Sequence, residues 1–302
     1  VTTVAITGGT GFVGGHLLRI AGERGLVVRA LARRAQPDLA HVRWIEGALD
    51  RLESLATLAA GADAVIHVAG TINAPARAGF EAGNIVGTAA MIEAAKAAGV
   101  RRFIHVSSLA AREPALSDYG WSKKQSEALV AASGLDWTIV RPPAVYGPGD
   151  REMLELFRLA ARGIVPLPPA GRLSLIEAGD LGRLLLDLMP ARESFGATYE
   201  PDDEAELGWD HRDFARALGE AVGRRVLPIS MPAGLLRLAS AVEGAARRGK
   251  AKLTPDRVRY FCHADWVVSA HARPPLSLWR PEVETREGLR STASWYRARG
   301  WL

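Results

Sequence analysis

Ser107 and Ser108 are followed, eleven residues later, by Tyr119 and then by Lys123 in the run Tyr119-Gly120-Trp121-Ser122-Lys123. Residues four apart share one face of a helix, so a helical run makes the phenol and the ammonium neighbours. A nearby cation favours the phenolate and is expected to lower the tyrosine pKa towards working pH. Such a phenol can pass a proton to or from a substrate oxygen, while the Ser108 hydroxyl holds that oxygen and stabilises charge developing on it. Lys124 lies about 100° further round the helix and reads as a surface charge.

A second constellation opens the chain, in Val4-Ala5-Ile6-Thr7-Gly8-Gly9-Thr10-Gly11-Phe12-Val13-Gly14. An apolar strand runs into a turn with glycines at 8, 11 and 14, and a helix starts near Phe12. Gly8 permits the tight turn, Gly11 lets the backbone approach a pyrophosphate, and Gly14 lets helix and strand pack closely. The helix N-terminus adds unpaired N–H groups and a positive dipole end. The expectation is a dinucleotide, whose nicotinamide exchanges hydride while Tyr119 moves the proton.

The elements that must position these groups alternate through the first half. Strands read at Val4–Thr7, Leu26–Leu31, Val42–Glu46, Ala64–Val68, Arg102–Ser107 and Trp137–Arg141, with a late one at Ala197–Glu200. Helix patterns lie between them at Phe12–Arg24, Leu52–Ala60, Phe80–Ala98 and Tyr119–Ala132. Repeated βαβ units imply an α/β fold with a doubly wound parallel sheet and ligands at the strands' carboxyl ends. After Arg141 the pattern changes to proline- and glycine-marked loops, including Pro166–Pro169, and to helices at 152–162, 210–222, 232–247, 255–262 and 284–299. This predicts a dinucleotide-binding domain over 1–145, with 176–202 returning to it. A smaller, mostly helical substrate lobe is expected over 146–175 and 203–302.

Composition excludes several other classes. The 302 residues are 48% hydrophobic and 24% charged, as in an ordinary globular protein able to bury a full core. Cys262 is the single cysteine, so no intrachain disulfide forms, and the seven scattered histidines argue against a metal site. The net charge of +5 is spread along the chain without basic arms or interleaved aromatics, which argues against nucleic acid. No signal peptide and no run of about 20 apolar residues appears, so a cytoplasmic location is expected. The densest basic patch, Arg247, Arg248, Lys250 and Lys252, follows an apolar helix (Leu235, Leu236, Leu238, Ala239, Val242) and reads as a solvated helix end.

The chain resembles the extended or atypical branch of the short-chain dehydrogenase/reductase superfamily, which includes NAD(P)-dependent epimerases and dehydratases. The motifs that carry the likeness run in family order: the glycine turn, His67-Val68-Ala69-Gly70, Asn84-Ile85-Val86-Gly87-Thr88, Val106-Ser107-Ser108, Tyr119 to Lys123, and Arg141-Pro142-Pro143-Ala144-Val145-Tyr146-Gly147-Pro148-Gly149. They fill residues 3 to 150 densely. Beyond that, Asp180-Leu181 and Trp279 to Trp301 match more sparsely. The resemblance implies a Rossmann sheet and assigns Ser108, Tyr119 and Lys123 to catalysis, with Lys123 also on the nicotinamide ribose. It places Gly8, Gly11, Phe12 and Val13 on the pyrophosphate, beside the close packing of Gly14. Ala69 and Gly70 fall on the adenosine side, Pro142 and Val145 by the nicotinamide, and Asn84 under the strand ends. It also implies a homodimer through a four-helix bundle that includes Tyr119–Ala132.

Three departures sharpen the expectation. The acidic residue that selects NAD is replaced by Ala32, followed by Arg33 and Arg34, which suit a 2′-phosphate and predict NADP(H), with NAD(H) the alternative. Ala48 stands where family members often carry an aspartate for adenine. Leu109 and Ala110 occupy the place of the dehydratases' acidic pair, and ten residues separate Ser108 from Tyr119. A sugar nucleotide therefore loses ground to a smaller or more apolar substrate, as in the hydroxysteroid-dehydrogenase-like and dihydroflavonol-reductase-like relatives. The reading is an NADP-dependent oxidoreductase interconverting a carbonyl and an alcohol. The alternatives are a nucleotide-sugar epimerase or dehydratase, and a non-catalytic NADP(H)-binding sensor or structural protein. Specificity is expected from the second lobe, including Arg151, Arg172, Trp209, Trp266 and Trp279, while Arg112, Arg151 and Arg172 are candidates for an anionic substrate group.

Overall fold

Seven short apolar runs pair in parallel in the computed structural model, which describes residues 2–247 and 254–302. The strands are β1 (Thr3–Thr7), β2 (Val27–Ala32), β3 (Val42–Glu46), β4 (Ala64–His67), β5 (Arg102–Val106), β6 (Asp136–Val140) and an edge strand, Ala197–Tyr199. Their order is edge strand–β6–β5–β4–β1–β2–β3. Strands covered on both faces have no solvent side, which is why they read as continuous hydrophobic runs rather than alternating ones. One face packs Ala5, Val65, Phe103 and Ile139 against Leu55, Leu58, Met91, Ile92 and Ala95. The order reverses between β1 and β4, and in such sheets the crevice outside those two carboxyl ends takes the ligand.

Helices of this unit include α1 (Phe12–Glu23), α2 (Leu52–Ala59), α3 (Arg77–Phe80), α4 (Gly87–Ala97), α5 (Asp118–Ala131) and, later in the chain, Ala178–Asp187. The single helix expected over 80–98 is broken by a π-helical turn at Glu81–Val86. Ser117 caps α5, its hydroxyl accepting from the Gly120 N–H at 2.9 Å. This compact unit comprises the chain up to Pro142 together with Gly179–Pro201 and Pro274–Arg280.

A second compact unit comprises Pro143–Ala178, Asp202–Arg273 and Pro281–Leu302. Its core gathers Tyr146, Phe157, Leu218, Leu289 and Tyr296 around the helices Leu154–Ala161, His211–Val222 and Thr285–Ala298. Strands of two to four residues also occur here, where loops and helices alone were expected. Ile164–Leu167 pairs with Leu227–Ser230, and Arg172–Leu173 lies between Trp209–Asp210 and Asp265–Trp266. Segments this short cannot display a two-residue hydrophobic period. No helix among the described residues is long and apolar enough to cross a membrane. No cluster of three or more metal-ligating side chains occurs among them either.

Candidate functional site

The glycine turn sits at the switch point of the sheet. Gly8 has φ +77°, and a Cβ there would lie 2.7 Å from the Ala69 nitrogen, so the β1 and β4 loops touch backbone to backbone. A Cβ on Gly14 would run into the Gly8 carbonyl oxygen. Gly11 N–H donates to that carbonyl at 2.9 Å and closes the turn. Gly11 is also the N-cap of α1, which has no side-chain cap and no acidic residue in its first turn. The N–H groups at Phe12 and Val13 thus remain available to an anion at the positive end of the helix. The turn leaves backbone donors that could hold a diphosphate.

Ser108 follows β5, and its Oγ accepts from the Ala110 N–H at 3.2 Å as it caps a short 3₁₀ turn. The Ser108 hydroxyl is hydrogen-bonded to the Tyr119 phenol, and the Phe80 ring lies 6.2 Å from the Tyr119 ring. Burial pushes the phenol above its ordinary pKa and the serine bond only partly offsets this. The expectation that Lys123 would draw Tyr119 down towards neutral pH is corrected here. The Lys123 ammonium donates to the Val106 carbonyl at 2.7 Å, and burial lowers its own pKa to about 8. It lies beside Gly70, where an added Cβ would be 3.5 Å from Nζ and 2.7 Å from Asn84 Oδ1.

Asn84 is buried, and its amide is fully engaged by the protein. Its Oδ1 accepts from Thr71 N–H at 2.6 Å, and its Nδ2 donates to the Thr71 carbonyl at 2.9 Å and to Ser122 Oγ at 2.8 Å. It therefore fixes the turn after Gly70. The π-helical turn that carries Asn84 also brings Gly83 against Thr71.

Sequence reasoning missed a buried ionic network beside Ser108. Ser107, expected to share the ligand edge with Ser108, instead donates to Glu127 Oε1 at 2.7 Å. Arg141 grips Glu127 with two bonds of 2.7 Å and reaches Glu200 at 3.3 Å; Arg112 meets Glu200 at 3.5 Å. The available signal was Glu127, four residues beyond Lys123 on the buried face of α5.

The remaining expected residues divide. Arg33 and Arg34 are exposed just past β2, and neither forms an ion pair with a described carboxylate. Pro142 ends the first unit, its carbonyl accepting from Leu109 N–H at 2.9 Å, and Val145 belongs to the second. Among the arginines considered for an anionic substrate, Arg112 is engaged by Glu200. Arg172 donates to the carbonyls of Leu207 and Gly208, and Arg151 stacks on Trp301. Trp266 is buried against Tyr260, and Trp279 lies in the first unit, buried with its N–H on the Asp180 carbonyl. Trp209 donates to Asp203 at 2.6 Å. Of the expected basic patch, Arg248, Lys250 and Lys252 lie outside the described residues.

Residues 8–156 match a family model described as NAD(P)H-binding. The chain is 38% identical over 315 residues to "Ceramide reductase" of Caulobacter vibrioides, covering 99% of this chain and 96% of that one. It is 27% identical over 339 residues to "Sterol demethylase protein B" of Methylococcus capsulatus, covering 99% and 100%. Among solved structures, MoeE5 in complex with UDP-glucose and NAD superposes with TM-score 0.77 at 22% identity, covering 99% of each chain. The 38% match over nearly the whole of both chains, together with the NAD(P)H-binding family model and the parallel sheet, places the chain among the NAD(P)-dependent enzymes of the extended short-chain dehydrogenase/reductase family.

Proposed function

We propose that the chain reduces a carbonyl to an alcohol with NADPH at a site built from Ser108, Tyr119 and Lys123, on a substrate of lipid character. Bound cofactor supplies the hydride. The pairing of the Ser108 and Tyr119 hydroxyls next to the end of β5 supports this reading. The Ser108 O–H donates to the substrate oxygen as negative charge grows there. The Tyr119 O–H then delivers its proton to that oxygen, completing the alcohol. Burial keeps the phenol protonated at neutral pH, which suits a proton donor and therefore the reductive direction. The Lys123 ammonium, one helical turn along α5 and beside Gly70, offsets the phenolate charge left behind. The likeness to a protein named ceramide reductase supports an apolar substrate.

The test is NADPH oxidation with long-chain ketones, including oxidised ceramide, by the wild type and by Tyr119→Phe. The variant is expected to lose turnover by about 10²–10⁴-fold while binding NADPH unchanged. Unaltered turnover would remove Tyr119 from the mechanism. Nicotinamide released only on denaturing the purified protein would mark an epimerase, which keeps its cofactor between half-reactions.

A further inference from the structure

The helix Ala233–Arg247 of the second unit carries an apolar stripe on its exposed side, with Leu236 half-buried on the same side as Ser240. Ser240 faces inward and is only 2% exposed, whereas Leu235, Leu238 and Val242 are 50%, 62% and 62% exposed. The three outward residues follow the i, i+3, i+7 spacing of a single stripe, and Ala239 on the same stripe is also exposed. A helix seated on a protein in water turns such a stripe inward. The preceding strand repeats the anomaly. Leu227 pairs in register with Ile164, and both are exposed, as is Ile229 two residues on. Scattered apolar side chains on a surface need no explanation, but six such residues stand on the helix, the strand before it and that strand's partner.

Charge identifies what covers it. Between residues 223 and 243 the basic side chains are Arg224, Arg225 and Arg237, against the single carboxylate Glu243. Arg224, Arg225 and Arg237 are exposed. A second copy of the chain would set these like charges against one another. An anionic lipid surface would neutralise them while taking up the leucines. We infer that the 233–247 helix, with the exposed strand residues before it, docks the protein on an anionic membrane surface, lying in the interface rather than spanning it. The inference does not rest on the redox reading, because binding to lipid is measured without turnover.

The experiment is co-sedimentation of the full chain with phosphatidylcholine vesicles, with and without phosphatidylglycerol. Binding is expected to the anionic vesicles and to weaken as salt is raised. The double variant Leu235→Ser/Leu238→Ser should lower the bound fraction at least about tenfold. Arg237→Gln should lower the partition constant about fivefold, as befits one surface charge. These side chains are exposed, so melting and NADPH affinity should match the wild type. The salt arm tests the proposal on the wild type if a variant fails that control. Wild type left in the supernatant with anionic vesicles would overturn it. So would binding indifferent to the leucine changes, or a concentration-dependent dimer, dissociated by Leu238→Ser, without vesicle binding.

Discussion

Arg33 and Arg34 stand just beyond the end of β2 and are the groups proposed to read the phosphate by which the two forms of the cofactor differ. Their guanidinium groups are solvent-exposed and unclaimed by any described carboxylate, so a 2′-phosphate would meet donors already free to bind it. A charge-assisted hydrogen bond is worth about 1.5–3 kcal/mol, which corresponds to roughly 10–100-fold in affinity. Arg33→Ala is therefore expected to weaken NADPH by about that factor while leaving NADH nearly unchanged. Parallel fluorescence titrations with the two cofactors measure it, and an unchanged ratio would remove Arg33 from the discrimination. The place of these arginines just past β2 was legible because the strand's apolar run ends there. The environment of Tyr119 was not. The helical offset to Lys123 is local, but the burial that dominates the phenol's pKa comes from groups far away in sequence.

The ionic network joins α5, the residue after β5, the residue after β6 and the residue after the edge strand through Glu127, Ser107, Arg141 and Glu200. Glu127 and Glu200 are almost fully buried, at 5% and 3% side-chain exposure, so both depend on their arginine partners. Removing one member of a buried pair leaves a bare charge and typically costs about 3–5 kcal/mol. Glu127→Gln should lose stability of that order in urea unfolding, because the amide cannot accept the bidentate grip of Arg141. Glu127→Leu combined with Arg141→Met, which removes both charges, should cost less; equal losses would show that packing rather than charge holds these elements. The elements themselves were well foreshadowed in the sequence. Every strand of the large sheet falls within one or two residues of its apolar run, because strands covered on both faces have nothing else to be. The π-helical turn at Glu81–Val86 was hidden, since Asn84 and Gly83 fit an ordinary helix until Thr71 packs against them. The network was hidden for a related reason, as its partners are up to 88 residues apart.

At the scale of the whole sheet, a polar row crosses the apolar core just below the site. Thr7, His67 and His105 are register partners on β1, β4 and β5, and the two rings stack at 5.5 Å. The surrounding hydroxyls fix the protons. Thr88 donates to the Asn84 carbonyl, so it accepts from His67 Nε2–H, and His67 Nδ1 accepts from the Thr7 hydroxyl. Ser126 donates to the Lys123 carbonyl, so His105 Nε2–H donates to Ser126. Both rings are neutral in the fold. Burial, with the Lys123 charge behind it, holds His67 down at about 3 and His105 well below the usual histidine range. In the unfolded chain each titrates near the ordinary value of about 6.5. As pH falls below that value the unfolded chain binds protons that the fold refuses, so stability is present above it and lost towards the folded values. The slope is about 1.4 kcal/mol per pH unit for each histidine once pH is well below 6.5. Hydrogen-exchange protection of the β4 and β5 amides between about pH 7 and pH 5, where most carboxylates stay ionised, should fall accordingly. His105→Gln should lower the slope by about 1.4 kcal/mol per pH unit, because one refused proton is removed while an amide remains to bond Ser126. A slope unchanged in that variant would mean that the loss at low pH comes from other groups and that the polar row does not set the acid limit of the sheet.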